Sequence, residues 1–410
     1  MSLNSISVAL NAVLGILSVR IVAEFLGPSG MAFMGSFRNF ATLAKSFSTL
    51  GISVSVVSLF VENKDDKEEL NRIYSTFFWI LTALSVFVGL LILLFSNPIS
   101  AYLFEVPDYS FEVQLFGLLL PLFVLNTFWI AIYNGLKQFK SIVLIQMLSS
   151  FFVFVLTFGL IYFKKLEGAL ISIAVGDLMM VIITLFFMSR HWEFFNFKLH
   201  KTVSKKHLLV IGRFSLMALL SAVLVPGTQL LIRNLIVDFH SVDKAGIWDA
   251  VNRISGFYMM FFSSGIALYY MPKLAELNTD SEFKSELRFY LKTIIPIFTL
   301  VLLMLYLLKD WVIDLALTHQ FKEAGDVIVW QLLGDFLKMV SLAFGYQILV
   351  KTMTKKYYAI EIVFNLSYFI MAYLWVDNQQ IEGAVKAYFF ANLITLLLML
   401  FFFRHLFRKG

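Results

Sequence analysis

Residues 19–40 read VRIVAEFLGPSGMAFMGSFRNF, and the rest of the chain follows from how this stretch is read. It is the end of one apolar helix, a four-residue turn (Gly27, Pro28, Ser29, Gly30) and the start of a second apolar helix. Arg20 and Arg38 flank the turn, each about seven residues inside apolar sequence, hence roughly 10 Å deep at 1.5 Å per residue. The pattern returns at residues 232–257 as IRNLIVDFHSVDKAGIWDAVNRISGF. There Arg233 precedes Asp238 and Phe239 as Arg20 precedes Glu24 and Phe25, and Arg253 follows Gly246 as Arg38 follows Gly30. Four arginines set into apolar sequence by an internal repeat are the feature to be explained.

Composition supplies the setting. Of 410 residues, 60% are hydrophobic and 15% charged, against about 25% charged in a soluble domain, and the mean hydropathy is +0.82. Apolar runs long enough to cross a bilayer core of about 30 Å recur along the whole length, so the fold class is all-α and polytopic. No stretch has the composition of a sizeable soluble domain. The chain has no cysteine, which excludes disulfides, Fe–S clusters and thiol catalysis. The first run, 6–26, has no basic segment before it and no A-x-A cleavage site, so it reads as an uncleaved first helix. The net charge of +6 lies mostly in loops, and no nucleic-acid-binding motif accompanies it.

Twelve spans fit, near 5–26, 30–61, 73–95, 113–135, 141–163, 167–189, 208–237, 244–272, 288–308, 324–350, 357–375 and 380–403. One set of loops, with the C-terminus, holds twenty Lys and Arg residues; the opposite set holds five, namely Lys164, Lys165, Lys244, Lys309 and Lys322. The basic set belongs in the cytoplasm together with both termini. The longest external loops are then about 96–112 and 309–323, too short for a catalytic domain. Further echoes lie near 215 residues apart: Gln114 to Gly117 with Gln331 to Gly334, and Leu166 to Ala169 with Ile381 to Ala384. The chain therefore divides into an N-lobe, 1–189, with spans 1–6, and a C-lobe, 208–410, with spans 7–12. Six spans per repeat leave the two lobes in the same orientation, as in transporters with parallel repeats. The basic, aromatic segment 190–207 joins them on the cytoplasmic side.

Charged residues inside spans face water or one another. The cations are Arg20, Arg38, Lys45, Arg213, Arg233, Arg253, Lys338 and Lys386; the acids are Glu24, Asp177, Asp249 and Asp335. Arg213 and Lys386 lie near span ends, where the side chain can reach the interface. Helical spacing predicts pairs between Arg20 and Glu24, Asp249 and Arg253, and Asp335 and Lys338. Each such pair reads equally as an ion pair that fixes packing. Arg38, Lys45 and Arg233 have no acid at i±3 or i±4, and Arg38 and Lys45, seven apart, share a helix face. The planar fork of arginine suits a diphosphate and stays charged at any physiological pH. The expected site is a central cavity between the lobes, where Arg20, Arg38, Lys45, Arg233 and Arg253 hold a phosphate-bearing substrate. Glu24, Asp177, Asp249, Asp335 and Lys338 are its charge pairs or carry a coupling proton or sodium ion; Asp177, with no local partner in sequence, is the first choice for coupling. Pro226 and Gly227, in mid-span 7, mark either a hinge or a static kink. The six histidines fall in loops or at span ends without metal-ligand spacing, no Walker A sequence is present, and no cofactor is expected.

The twelve-span plan, the duplicated lobes and FLGPSGMAFMGSFRNF (25–40) resemble the polysaccharide flippases of the multidrug/oligosaccharidyl-lipid/polysaccharide (MOP) exporter superfamily, in particular the O-antigen translocases and lipid III (enterobacterial common antigen) flippases. The resemblance covers the whole chain. It implies a V-shaped pair of bundles with a cationic cavity, lined by the spans that carry Arg20, Arg38, Arg233 and Arg253. It implies movement of an undecaprenyl-diphosphate-linked oligosaccharide from the cytoplasmic to the periplasmic leaflet of the bacterial inner membrane, by secondary transport rather than catalysis. A polysaccharide polymerase and chain-length proteins are the partners implied. Three other readings compete. A drug exporter of the same superfamily calls for an acid-rich cavity, whereas the excess here is positive. A membrane polymerase or ligase calls for large external loops. A lipid II flippase has the same chemistry but commonly carries more than twelve spans.

Overall fold

The computed structural model describes residues 2–190, 196–200 and 205–407, with the side chains of 2–5, 54, 205–215, 267 and 268 outside the description. Arg213 is among these side chains, and half of the predicted linker, residues 191–195 and 201–204, is outside the described residues. Twelve α-helices follow one another: α1 Ser2–Thr49, α2 Ser53–Glu62, α3 Lys67–Leu94, α4 Ser96–Phe104, α5 Ser110–Gly135, α6 Phe139–Arg190, α7 Lys205–Phe239, α8 Val242–Glu276, α9 Asp280–Leu307, α10 Lys309–Ala316, α11 Glu323–Val350 and α12 Thr354–Phe402. There is no strand among the described residues. Nine of these helices, among the described residues, are long and apolar enough to cross a membrane. Three of the nine run to 44, 52 and 49 residues, about twice what one crossing needs. Each is broken once by a residue outside helical geometry: Gly27 in α1, Lys165 in α6 and Gln380 in α12. Counted as two crossings each, they restore the twelve spans. Large apolar side chains such as Phe87, Leu94, Phe151, Val155 and Phe163 stay exposed along these helices, as faces that meet lipid rather than water.

The breaks sharpen the sequence reading. The four-residue turn contracts to a single residue, Gly27 (φ 65°, ψ −164°), and Pro28 already lies inside the helix that follows. This backbone conformation is open to glycine and strained for other residues. Pro28, at the start of the following helical segment, lacks an N–H that has no helical acceptor there. The second predicted span, 30–61, is divided as well: Leu50 and Gly51 take positive φ, and α2 begins at Ser53. The stretches 96–112 and 309–323, read as loops, each hold a short helix (α4, α10) and a 3-10 turn, at Pro107–Tyr109 and His319–Phe321. The internal repeat thus extends to irregular details. The breaks at Lys165 and Gln380 share φ 52° and lie about 215 positions apart, as do the positive-φ residues Lys137 and Thr352.

Two compact units emerge, Met1–Leu14 with Phe33–Gly227, and Gly15–Ala32 with Thr228–Gly410. The sequence reading puts all of 1–189 in the first lobe, whereas residues 15–32 here pack with the second unit. Two contacts explain this. Arg20 Nη1 donates to the carbonyl oxygens of Asp314 (2.6 Å) and Leu317, at the end of α10. Gly246 in α8 lies so close to the backbone of Pro28 that no side chain fits between them.

In the first unit, Phe37 meets Phe104 and Phe116 edge-on at ring separations of 5.8 and 6.0 Å. Residues 196–200 run along α3: the N–H of Lys198 donates to Asn71 Oδ1 (3.0 Å) and that of His200 to Ser75 Oγ (2.8 Å). Phe197 stacks on Tyr74 at 4.8 Å, so this part of the linker is tied down by side-chain hydrogen bonds as well as by its aromatics. The core of the second unit gathers Tyr270, Tyr290, Phe298, Met339 and Phe344 from α8, α9 and α11. Its buried phenols are satisfied by backbone, Tyr290 donating to the carbonyl of Met339 (3.0 Å) and Tyr270 to that of Ala343 (3.2 Å).

Candidate functional site

Arg38 and Lys45 stand two turns apart on the part of α1 that belongs to the first unit, and both line one cavity of about 270 Å³. The opposite wall comes from α6. Thr157 and Val153 precede its break at Lys165, and Ser172, Ile173, Gly176 and Asp177 follow it. Lys45 Nζ meets Asp177 Oδ2 at 2.6 Å, and both side chains remain partly open to solvent. Asp177 therefore has a partner, on a helix 132 positions away, where no rule of local spacing finds it. Thr42, Thr157 and Ser172 add hydroxyls, and Phe116 adds one apolar wall. Two cations against one carboxylate leave the lining net positive, with an arginine fork and a lysine ammonium on one helix face. Such a lining suits a phosphate oxygen cluster.

The remaining predicted residues belong to the second unit, where they are already engaged. Arg20 pairs with Glu24 (3.4 Å) and holds the carbonyls at the end of α10, so its guanidinium works as a helix C-cap. Arg253 pairs with Asp249 at 2.6 Å, both largely buried. Arg233 is only 3% exposed and donates from Nη1 to Asn234 Oδ1 at 3.0 Å. These placements bring Arg38, Lys45 and Asp177 together in the first unit and leave Arg20, Arg233 and Arg253 in separate local arrangements in the second.

One predicted pair is replaced. Asp335 is fully buried, and its carboxylate accepts from three hydroxyls: Ser255 (2.6 Å) and Tyr258 on α8, and Tyr388 (2.7 Å) on α12. Lys338 is exposed instead, with its ammonium 5.9 Å from the Tyr388 ring. The i, i+3 spacing put the two on neighbouring faces, but the hydroxyls of adjacent helices reach the acid first. Sequence reasoning misses this cluster because serine and tyrosine in apolar helices look like packing residues until an acid faces them. It also misses the arrangement around Lys386, which pairs with Glu382 (3.0 Å), donates to Gln379 Oε1 (2.9 Å) and lies over Trp330. Pro226 and Gly227 lie within α7, at the point where the first unit ends and the second begins.

Residues 21–326 match the family described as polysaccharide biosynthesis protein. The chain belongs to that family. Among curated proteins it is similar to the lipid III flippase of Escherichia coli (strain K12), at 26% identity over 375 residues, covering 91% of this chain and 90% of that protein. Two solved structures share the fold. One is the lipid II flippase MurJ in an inward closed conformation, with a TM-score of 0.81, 15% identity and coverage of 98% of this chain and 88% of that one. The other is an inward-facing multidrug resistance MATE family transporter of the MOP superfamily, with a TM-score of 0.75, 15% identity and coverage of 97% and 96%. The chain is thus an all-α, multi-pass membrane protein with the MOP fold, and the proteins it resembles are transporters rather than enzymes.

Proposed function

We propose that this protein is a flippase that carries an undecaprenyl-diphosphate-linked oligosaccharide from the cytoplasmic to the periplasmic leaflet of a bacterial inner membrane by alternating access. The observation that carries the reading is the Arg38–Lys45–Asp177 cavity, a net-cationic pocket on membrane-spanning helices of a chain whose family serves polysaccharide biosynthesis. Similarity to a lipid III flippase over nine-tenths of both chains supports a lipid-linked glycan as the cargo.

Arg38 is the primary diphosphate ligand, and Lys45 joins it when Asp177 lets go. At rest Asp177 holds Lys45 in an ion pair, so an arriving phosphate competes with a carboxylate for the same ammonium. A coupling cation that takes over Asp177 removes that competitor, which gives the ion of a secondary transporter a defined task. The buried Asp335 cluster is a second group able to trade a charge for a proton or sodium ion. Arg20, Arg233 and Arg253 are held in contacts that must loosen before they touch cargo. An inside-negative potential favours outward movement of an anion by roughly 2.3 kcal/mol per charge per 100 mV, so export does not require ATP. Pro226 and Gly227 are the hinge in this scheme, because α7 passes there from one unit to the other. The polymerase and chain-length proteins of the same glycan are the partners expected on the far side.

A multidrug exporter is the second reading, since a MATE transporter shares the fold. The excess of cations in the cavity opposes it, because an exported drug of that class is a cation. The test is the position of the labelled lipid-linked oligosaccharide in cells that carry Arg38→Ala. The flippase reading expects it to accumulate in the cytoplasmic leaflet; unchanged export together with altered drug resistance would favour the exporter.

A further inference from the structure

We infer that the end of the first unit opposite the basic loops carries a saccharide subsite, in the cavity formed by the start of α5 and the break in α6. This cavity of about 550 Å³ falls inside the roughly 300–1,000 Å³ range of small-ligand pockets. It lies apart from the Arg38 cavity and shares no lining residue with it. The inference rests on the reading of the chain as a glycan flippase.

The lining selects the ligand. Three carboxylates (Asp108, Glu112, Glu167) meet two ammonium groups (Lys164, Lys165), so neither a phosphate nor a polycation is favoured throughout. No group of three acids or histidines among the described residues is placed to hold a metal ion. Alternating donors and acceptors around aromatic rings suit a polyhydroxylated ring, which offers C–H faces to an aromatic plane and hydroxyls at its rim. Phe111 is exposed, and Tyr109 is fixed by an edge contact with Phe104 at 5.4 Å, so the aromatic surface is preset. Lys164 is paired with Glu167 at 2.8 Å, which sets a carboxylate and an ammonium side by side at the rim.

The second observation is Glu112. It is 2% exposed, lines this cavity, and its Oε2 has no hydrogen-bond partner. A buried carboxylate oxygen without a donor is rare in folded proteins; Oε2 is closed off in this conformation, and a ligand hydroxyl supplies the missing donor once the Glu112 side chain turns into the cavity. The repeat provides a contrast. The counterpart of Glu167 in the second unit is Glu382, which Lys386 (3.0 Å) and Trp330 Nε1 (3.3 Å) both engage. The counterpart of the Asp108 turn holds Gln320, whose amide packs against Gly27. The carboxylate that holds a lysine and an indole of its own unit in the second repeat stands at the rim of a polar cavity in the first. A glycan head group delivered to this side meets the cavity on its way out.

The test uses the purified full-length protein in lipid nanodiscs and the reducing oligosaccharide released by mild acid from the host cell's lipid-linked intermediate. Saturation-transfer NMR and calorimetry read binding to the wild type, to Glu112→Gln, and to Phe111→Ala and Glu167→Gln, two exposed positions that spare the fold. Binding by the wild type that weakens at least ten-fold in the Glu112, Phe111 and Glu167 variants is the expected result. No binding by the wild type, or equal binding by all variants, overturns the subsite. If flipping in cells still depends on Arg38, that failure leaves the flippase reading standing; if the glycan is also exported normally without the protein, both fall.

Discussion

Lys45 and Asp177 meet at 2.6 Å across two helices, and the fate of this pair decides what the cavity binds. Replacing Asp177 with Asn removes the carboxylate that competes with phosphate and keeps the shape. Diphosphate lipid is then expected to bind at least as tightly as to the wild type, while export falls because the bound anion is no longer displaced; binding to protein in nanodiscs and export in cells measure the two separately. Arg38→Ala is expected to lose more than ten-fold in export. Arg38→Lys recovers part of that loss, since an ammonium restores the charge but not the two parallel hydrogen bonds of the guanidinium. Asp335→Ala strands the hydroxyls of Ser255, Tyr258 and Tyr388 in a buried site, at a cost of about 1–3 kcal/mol, seen as a lower melting temperature in detergent. At this scale the sequence was legible where partners are local. The pairs Arg20–Glu24 and Asp249–Arg253 stand at i, i+4, as their spacing requires. It was illegible where the partner comes from another helix: Asp177 looked free and is paired, and Asp335 looked paired with Lys338 and is held by hydroxyls instead. A helix face is readable from one segment, but which face meets which is a property of the assembled bundle.

At the scale of elements, backbone breaks divide long helices into crossings. Gly27 at φ 65° and ψ −164° joins two crossings without a loop, and Gly246 lets α8 approach the backbone of Pro28. Gly246→Ala places a methyl group against that carbonyl and is expected to destabilise by roughly 1–3 kcal/mol, with reduced yield of monodisperse protein. Gly227 is the opposite case. A Cβ there meets nothing within 4 Å, so Gly227→Ala fits the fold and raises the helix preference of α7 by about 1 kcal/mol. If this residue is a hinge, the variant melts no lower than the wild type and exports more slowly; unchanged export assigns Pro226 and Gly227 to a static kink. The positions of these punctuation marks were readable from Gly and Pro. The breaks at Lys165 and Gln380 were not, because nothing in a lysine or glutamine announces a positive φ.

At the scale of the molecule, apolar length and the duplicated motifs were enough for twelve crossings in two sixes, and the repeated breaks near Lys165 and Gln380 agree with them. What the pattern hid was the allegiance of residues 15–32, which pack with the second unit through single contacts made by Arg20 and Gly246. The orientation inferred from charge is open to a clean test, since the chain has no cysteine. Single cysteines at Lys64 and Lys355 are expected to react with a membrane-impermeant maleimide only after the cells are opened, and one at Lys165 in intact spheroplasts. The measurement that bears most directly on the function is the location of the labelled lipid-linked oligosaccharide across the inner membrane when the gene is deleted and then restored as wild type or as Arg38→Ala. Accumulation in the cytoplasmic leaflet with loss of surface polymer, rescued by the wild type and not by Arg38→Ala, is the expected result. Normal delivery to the outer leaflet in the deletion strain, with changed resistance to cationic drugs, would contradict it.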